Sequence, residues 1–147
     1  MSVVYRLVHA SPERVFEVLA DGWNYGSWVV GASRIRAVSP PWPQPGGCLH
    51  HSFGLWPVVI NDTTKSAEWQ PPTRAVIEPD AGPLGTGRVC FDLQSRPDGC
   101  VIRMTEDATS LPGLLVPKPI RDAVGRIRNR ETLRRLAFIA EQRESGG

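Results

Sequence analysis

The sequence predicts an α+β domain in which a curved antiparallel sheet of about seven strands wraps one long C-terminal helix, with two short helices between strands 1 and 2. Three observations carry this. Short β-branched stretches follow one another between residues 33 and 109 with only Pro/Gly turns between them, which makes successive strands antiparallel neighbours. Beyond residue 119 the pattern is helical and free of proline. Helical stretches punctuated by Gly22 and Gly26 separate the first strand from the rest. At 147 residues the chain fits one domain, 1–147, able to bury a core without disulfides or a structural metal.

Taken in order, "VVYRLVH" (Val3 to His9) is short and β-branched and reads as a strand. In "ASPERVFEVLAD", Ser11 is the N-cap, Pro12 takes the first helical position, and Val15, Phe16 and Leu19 share helical spacing over about two turns. "DGWNYGSW" predicts a second, irregular helical turn carrying Trp23, Tyr25 and Trp28. "SRIRAV" is the next strand, and the proline-rich connector Ser39 to Gly47 excludes any regular element. Strands are then expected at Cys48 to Leu55, Val58 to Trp69, Thr73 to Glu78, Gly87 to Ser95 and Cys100 to Thr109.

"RPDG", Arg96 to Gly99, has Pro97 second and Gly99 last in a type I turn, which fixes a register. Leu93 then lies opposite Ile102, Phe91 opposite Met104, and Val89 opposite Glu106, so the one acidic residue of these pairs sits on the hairpin's dry face. After the Leu/Pro loop Ser110 to Pro119, the helix carries two apolar groups. Ile120, Val124 and Ile127 form one stripe; Leu133, Leu136, Ala137 and Ala140 form another, rotated well away from it at about 100° per residue. Such a helix must bend, break near Gly125 to Arg130, or cover two surfaces.

The composition excludes several functions. Lys and Arg total 17 against 15 Asp and Glu, a net +2 too small to predict a nucleic-acid partner. Arginines cluster in "RIRNRETLRRL", either as a solvated helix face or as an anion-binding patch. No N-terminal stretch has signal-peptide form and no apolar run approaches about 20 residues, so a cytoplasmic protein without membrane insertion is expected. Cys48, Cys90 and Cys100 are odd in number and lack C-x-x-C spacing, which predicts reduced thiols. No cofactor or metal is expected.

A curved sheet around one helix leaves space on its concave side, so a small-molecule site is the default. In "CLHHSFGLW", strand alternation puts Leu49, His51, Phe53 and Leu55 on one face and Cys48, His50, Ser52 and Trp56 on the other. His51 therefore points inward, either as a hydrogen-bonded core imidazole or as a proton donor or acceptor to a ligand. Zinc would need further convergent ligands, and Cys48 and His50 point away. Glu106, on an apolar face, is either salt-bridged to an arginine of the last helix such as Arg130 or Arg134, or at a strand end that reaches water, or a general acid/base or anchor for a ligand hydroxyl.

The remaining candidate lining residues are Trp28, Val89, Phe91, Met104, Leu114, Ile127 and Glu131. Trp23, Trp56, Leu84 and Leu115 are plausible at the mouth, and Asp62 shares parity with Val58, Ile60 and Thr64 without a deciding pattern.

The segments "ASPERVFEVLADGWNYGSWVVGASRIRAV", "PLGTGRVCFDL", "GCVIRMTEDA" and "NRETLRRLAFIAE" together resemble the START-like helix-grip superfamily, in particular its bacterial polyketide cyclase/dehydrase-type (SRPBCC) branch. The resemblance spans nearly the whole chain. It implies strand order 1-7-6-5-4-3-2 and an apolar cavity between sheet and helix. It also implies binding of lipid-like or polyketide-like molecules, in a carrier or sensor role, or else a cyclase or dehydratase working through acid/base residues. A protein-interaction module using the C-terminal helix is a third reading, and the strand edges and Trp/Pro-rich connector offer surface for a homodimer. Under that strand order, three strands separate those of His51 and Glu106.

Overall fold

The computed structural model describes residues 2–29, 32–55, 58–80, 85–109 and 117–146. Of residues 32–34, 36, 53–55, 58–62 and 143–146 it describes the backbone alone. The elements run β1 (Ser2–Val8), α1 (Pro12–Ala20), a 3₁₀ turn (Gly22–Asn24), α2 (Tyr25–Trp28), β2 (Ala32–Ser39), β3 (Cys48–Leu55), β4 (Val58–Gln70), β5 (Arg74–Asp80), β6 (Gly87–Arg96), β7 (Gly99–Ala108) and α3 (Lys118–Gly146).

One antiparallel sheet has the order β1-β7-β6-β5-β4-β3-β2, so β1 and β2 are its edges. This is the helix-grip arrangement expected from the resemblance. Register shifts between Ala32 and Arg34, Ile35 and Ala37, and Ser66 and Glu68 put an extra residue into one strand of a pair, which bends and twists the sheet. The β6–β7 register is the one fixed by the turn, with Leu93, Phe91 and Val89 opposite Ile102, Met104 and Glu106.

Local chemistry explains the ends of these elements. The Ser11 hydroxyl accepts from the Arg14 amide at 3.2 Å and Pro12 opens α1, whose Val15, Phe16, Val18 and Leu19 face the core. Gly99 closes the β6–β7 turn with φ +151°, and a Cβ there would lie 1.9 Å from the Val8 carbonyl oxygen. Only glycine lets this turn nest against the end of β1.

α3 is a single 29-residue helix that does not break near Gly125 to Arg130, and it begins at Lys118, before Pro119. Pro119 falls in its first turn, where a missing amide hydrogen costs nothing. Leu133, Leu136, Ala137 and Ala140 are fully buried, with α3 lying mainly against β1, α1 and α2. Each buried leucine contributes about 1.5–3 kcal/mol. The other stripe is outside the core: Ile120, Val124 and Ile127 are 56%, 60% and 72% exposed. The helix buries one side here, and the side it buries is that of Leu133, Leu136, Ala137 and Ala140.

Candidate functional site

Two polar groups stand out on the largely apolar inner face of the sheet among the described residues. At the first, alternation along β3 buries Leu49 and His51 while Cys48 and His50 turn the other way. His50 bonds Ser39 Oγ through Nε2 at 2.8 Å, on the opposite side. The adjacent histidines are thus separated by the pleat, as the pattern predicts.

His51 is 2% exposed, and its Nε2 lies 2.7 Å from Thr64 Oγ1 on β4. The Tyr25 hydroxyl reaches the same Thr64 oxygen at 3.4 Å, and the Tyr25 ring lies 5.1 Å from the imidazole. A threonine hydroxyl both donates and accepts, so Thr64 can relay between imidazole and phenol. The aromatic series continues from Tyr25 to Trp28 at 5.2 Å and from Trp28 to Phe91 at 6.0 Å, both edge-on. β3, β4, α2 and β6 each supply a member. The backbone register sets Asp62 opposite His51, but its side chain lies outside the described residues.

Beside this group is a small recess lined by Tyr25, Trp28, Trp42, Trp69 and Phe91, with aliphatic Leu19, Ala75 and Ile77. About 10 Å³ of it is open to the centre of a water-sized sphere, room for one water molecule. The indole nitrogens of Trp28 and Trp42 are buried and find no hydrogen-bond partner among the described residues. Two N–H donors therefore belong to side chains that wall an otherwise apolar recess, each at a cost of about 1–3 kcal/mol while unpaired.

The second place is at the far edge. Glu106 of β7 pairs with Arg128 of α3, and Asn129 Nδ2 donates to its Oε1 at 3.2 Å. The partner is Arg128 rather than Arg130 or Arg134. The Glu106 side chain is 21% exposed, while Val89 and Ser2, opposite it on either side, are buried. Gly125 allows the approach, since a Cβ there would lie 3.2 Å from Ser2 Cβ and 3.5 Å from Glu106 Oε1. The carboxylate clamps α3 to the β1–β7 edge.

β6, β5 and β4 lie between the two places, about 19 Å apart along the sheet at about 4.8 Å per strand. The inner face does bring together Trp28, Leu49, His51, Val89, Phe91 and Met104, all buried. Ile127 is not with them, nor is Trp23, which is 64% exposed. Glu131 bonds Arg134 and Arg135 on the outer side of α3, and these two guanidinium groups hold its carboxyl down at about 2. The side chains of Phe53 and Leu55 lie outside the described residues, as do Trp56, Leu84, Leu114 and Leu115.

Thr64, Trp42 and Trp69 were missed as site residues. Thr64 had a signal, since a strand pairing Leu49 with Thr64 puts both on the inner face. Trp42 sits in a connector with no periodicity to read.

Cys48, Cys90 and Cys100 are free, and burial pushes the Cys90 and Cys100 thiols up to about 11, away from nucleophile chemistry. Among the described residues no three His, Cys, Asp or Glu side chains could hold a metal ion, and no helix is long and apolar enough to cross a membrane.

Among solved structures, the di-domain ARO/CYC StfQ from the steffimycin biosynthetic pathway superimposes with a TM-score of 0.74 at 14% identity. The match covers 99% of this chain and 51% of that one, so this chain spans about half the length of the di-domain protein. Protein CV1439 from Chromobacterium violaceum gives 0.74 at 17% identity, covering 95% of this chain and 96% of that one. Ara h 8.0201 gives 0.72 at 10%, covering 95% and 96%. At these identities the likeness is one of fold. None of the curated proteins matches the sequence. Residues 2–141 match the family described as polyketide cyclase / dehydrase and lipid transport, and the chain belongs to that family.

Proposed function

We propose that this protein is a carrier or sensor that binds a hydrophobic small molecule on the inner face of the sheet, at its His51 end, where α1, α2 and the β2–β3 connector cover it. The observation that carries the reading is the buried His51–Thr64–Tyr25 group beside the aromatic recess with its two unpaired indole donors. Apolar walls with a few convergent polar groups are the usual make-up of a small-molecule site, in which the polar groups orient the ligand. Family membership supports a hydrophobic ligand of the lipid or polyketide kind.

A ligand of about 300 Å³ or more does not fit a recess sized for one water, so binding has to displace side chains around the recess. Trp42, carried by the connector between β2 and β3, is the wall member least held by secondary structure. The ligand we infer is an extended apolar molecule with a hydrogen-bond acceptor, placed to take the indole N–H groups or His51.

The enzymatic reading, a cyclase or dehydratase, is weaker for Glu106, whose carboxylate already holds Arg128 and Asn129. It would rest on His51, with Thr64 and Tyr25 as the only relay described.

Native mass spectrometry of the protein as purified tests the ligand reading, followed by titration of the recovered molecule against tryptophan fluorescence. The expected result is a bound mass of lipid or polyketide character that quenches the emission of Trp28 and Trp42. Ligand-free protein, with unchanged emission across fatty acids, sterols and aromatic polyketides, would overturn it.

A further inference from the structure

We infer that the outer face of α3 is a docking surface for an anionic phospholipid membrane, on which the protein rests without spanning it. At about 100° per residue, Ile120, Val124, Ile127 and Phe138 fall within about 60° of one another, about 170° from the buried side of the helix. All four are exposed, between 56% and 72%. Soluble surfaces expose single apolar residues freely, but a stripe of three successive aliphatics on one helix face needs a partner.

The flanks say which partner. Arg130 and Arg134 border the stripe on one side, with Arg126 further round, and Arg121, Arg128 and Arg135 lie on the other, where Arg128 already holds Glu106. Arg126 and Arg130 are exposed and form no ion pair among the described residues. Glu131 is the acidic residue within the stripe, and Arg134 and Arg135 both bond it. The free positive charge therefore lies beside Ile120, Val124 and Ile127, in the N-terminal half of the helix.

An apolar stripe with arginines on both borders suits the headgroup boundary of an anionic bilayer. The aliphatics enter the acyl edge, and Arg126 and Arg130 lay their stems beside them with their guanidinium groups among the phosphates. A second copy of this chain fits less well, because a two-fold axis along the stripe would bring the unpaired Arg126 and Arg130 of both copies together. Nucleic acid would use the arginines and leave three aliphatics in water.

The inference extends the carrier reading, since apolar ligands are exchanged at lipid surfaces, but its test needs no ligand. Flotation of the full-length protein with phosphatidylcholine vesicles, with and without phosphatidylserine, should show affinity at least about tenfold higher for the anionic vesicles, lost at high ionic strength. Val124→Asp combined with Ile127→Asp should abolish flotation with circular dichroism unchanged. Arg126→Glu combined with Arg130→Glu, which leaves the aliphatics intact, should weaken it about tenfold or more. Equal binding to both vesicle types, or retained binding in either variant, would overturn the inference. So would a dimer in analytical ultracentrifugation that Val124→Asp/Ile127→Asp dissociates while the native chain ignores vesicles. Failure here leaves ligand binding at the His51 end of the inner face standing, and absence of a ligand there leaves vesicle binding to be read independently.

Discussion

The two polar groups on the inner face differ in what they are attached to. Glu106 is tied by two side chains of α3, and its oxygens hold the helix against the β1–β7 edge. Among the described residues His51 meets Thr64 of the neighbouring strand and the ring of Tyr25, within a small aromatic compartment. A carboxylate that spans two layers of the fold is placed to stabilise it. The imidazole lies beside a recess whose indole donors find no partner among the described residues. Two anomalies of one kind in the sequence, a polar residue among apolar ones, thus have different physical settings.

The contrast is broken most directly by Glu106→Ala. It should cost about 2 kcal/mol, because Arg128 and Asn129 lose a half-buried charged acceptor, and should lower the urea midpoint without changing the m-value. Ligand affinity of the folded protein should be unchanged. A large fall in affinity at unaltered stability would instead put Glu106 in the binding site.

His51→Leu tests the other side. Its shape is roughly kept, so the stability loss should stay within about 1 kcal/mol, while affinity for a recovered ligand should fall about tenfold, the worth of one hydrogen bond. A stability loss matching that of Glu106→Ala with full binding retained would make His51 a structural residue.

Trp42→Ala sharpens the comparison by opening the recess. Uptake of the fluorescent probe anilinonaphthalene sulfonate should rise a few-fold over the native protein, and Glu106→Ala should show no such rise below its unfolding transition. Unchanged probe uptake in Trp42→Ala would mean that this side chain does not close the recess.

The smallest effect belongs to Glu131, which pairs with arginines but lies on the surface. Its folded-state value is depressed from 4.5 to about 2, so its contribution is present above the ordinary value and is lost as pH falls through that window. Glu131→Gln should flatten the acid side of the thermal-stability profile slightly and leave neutral pH nearly unchanged, because exposed pairs are screened by solvent. A neutral-pH loss comparable to that of Glu106→Ala would show that the two arginine contacts are equivalent.

Much of this could be read along the chain. Ser11 and Pro12 started α1, the "RPDG" turn fixed three cross-strand pairs, and alternation in "CLHHSFGLW" separated His50 from His51. Each follows from interactions between residues close in sequence, or opposite each other across a tight turn. Periodicity also found both apolar stripes of α3, but an amphipathic pattern has no label for which side faces a partner. Fully burying Leu133 and Leu136 against β1, α1 and α2 left Ile120, Val124 and Ile127 outside, and only the packed helix shows that. In the same way the sequence marked Glu106 and His51 as anomalies, while their partners, Arg128, Asn129, Thr64 and Tyr25, came from elements that no local rule connects. The sequence by itself determined the strands, the turns and the two polar exceptions, since backbone geometry and alternation act over a few residues. The tertiary structure decided that one exception clamps a helix and the other joins Thr64 and Tyr25 next to a recess, because charge compensation and enclosure depend on groups brought together from distant parts of the chain.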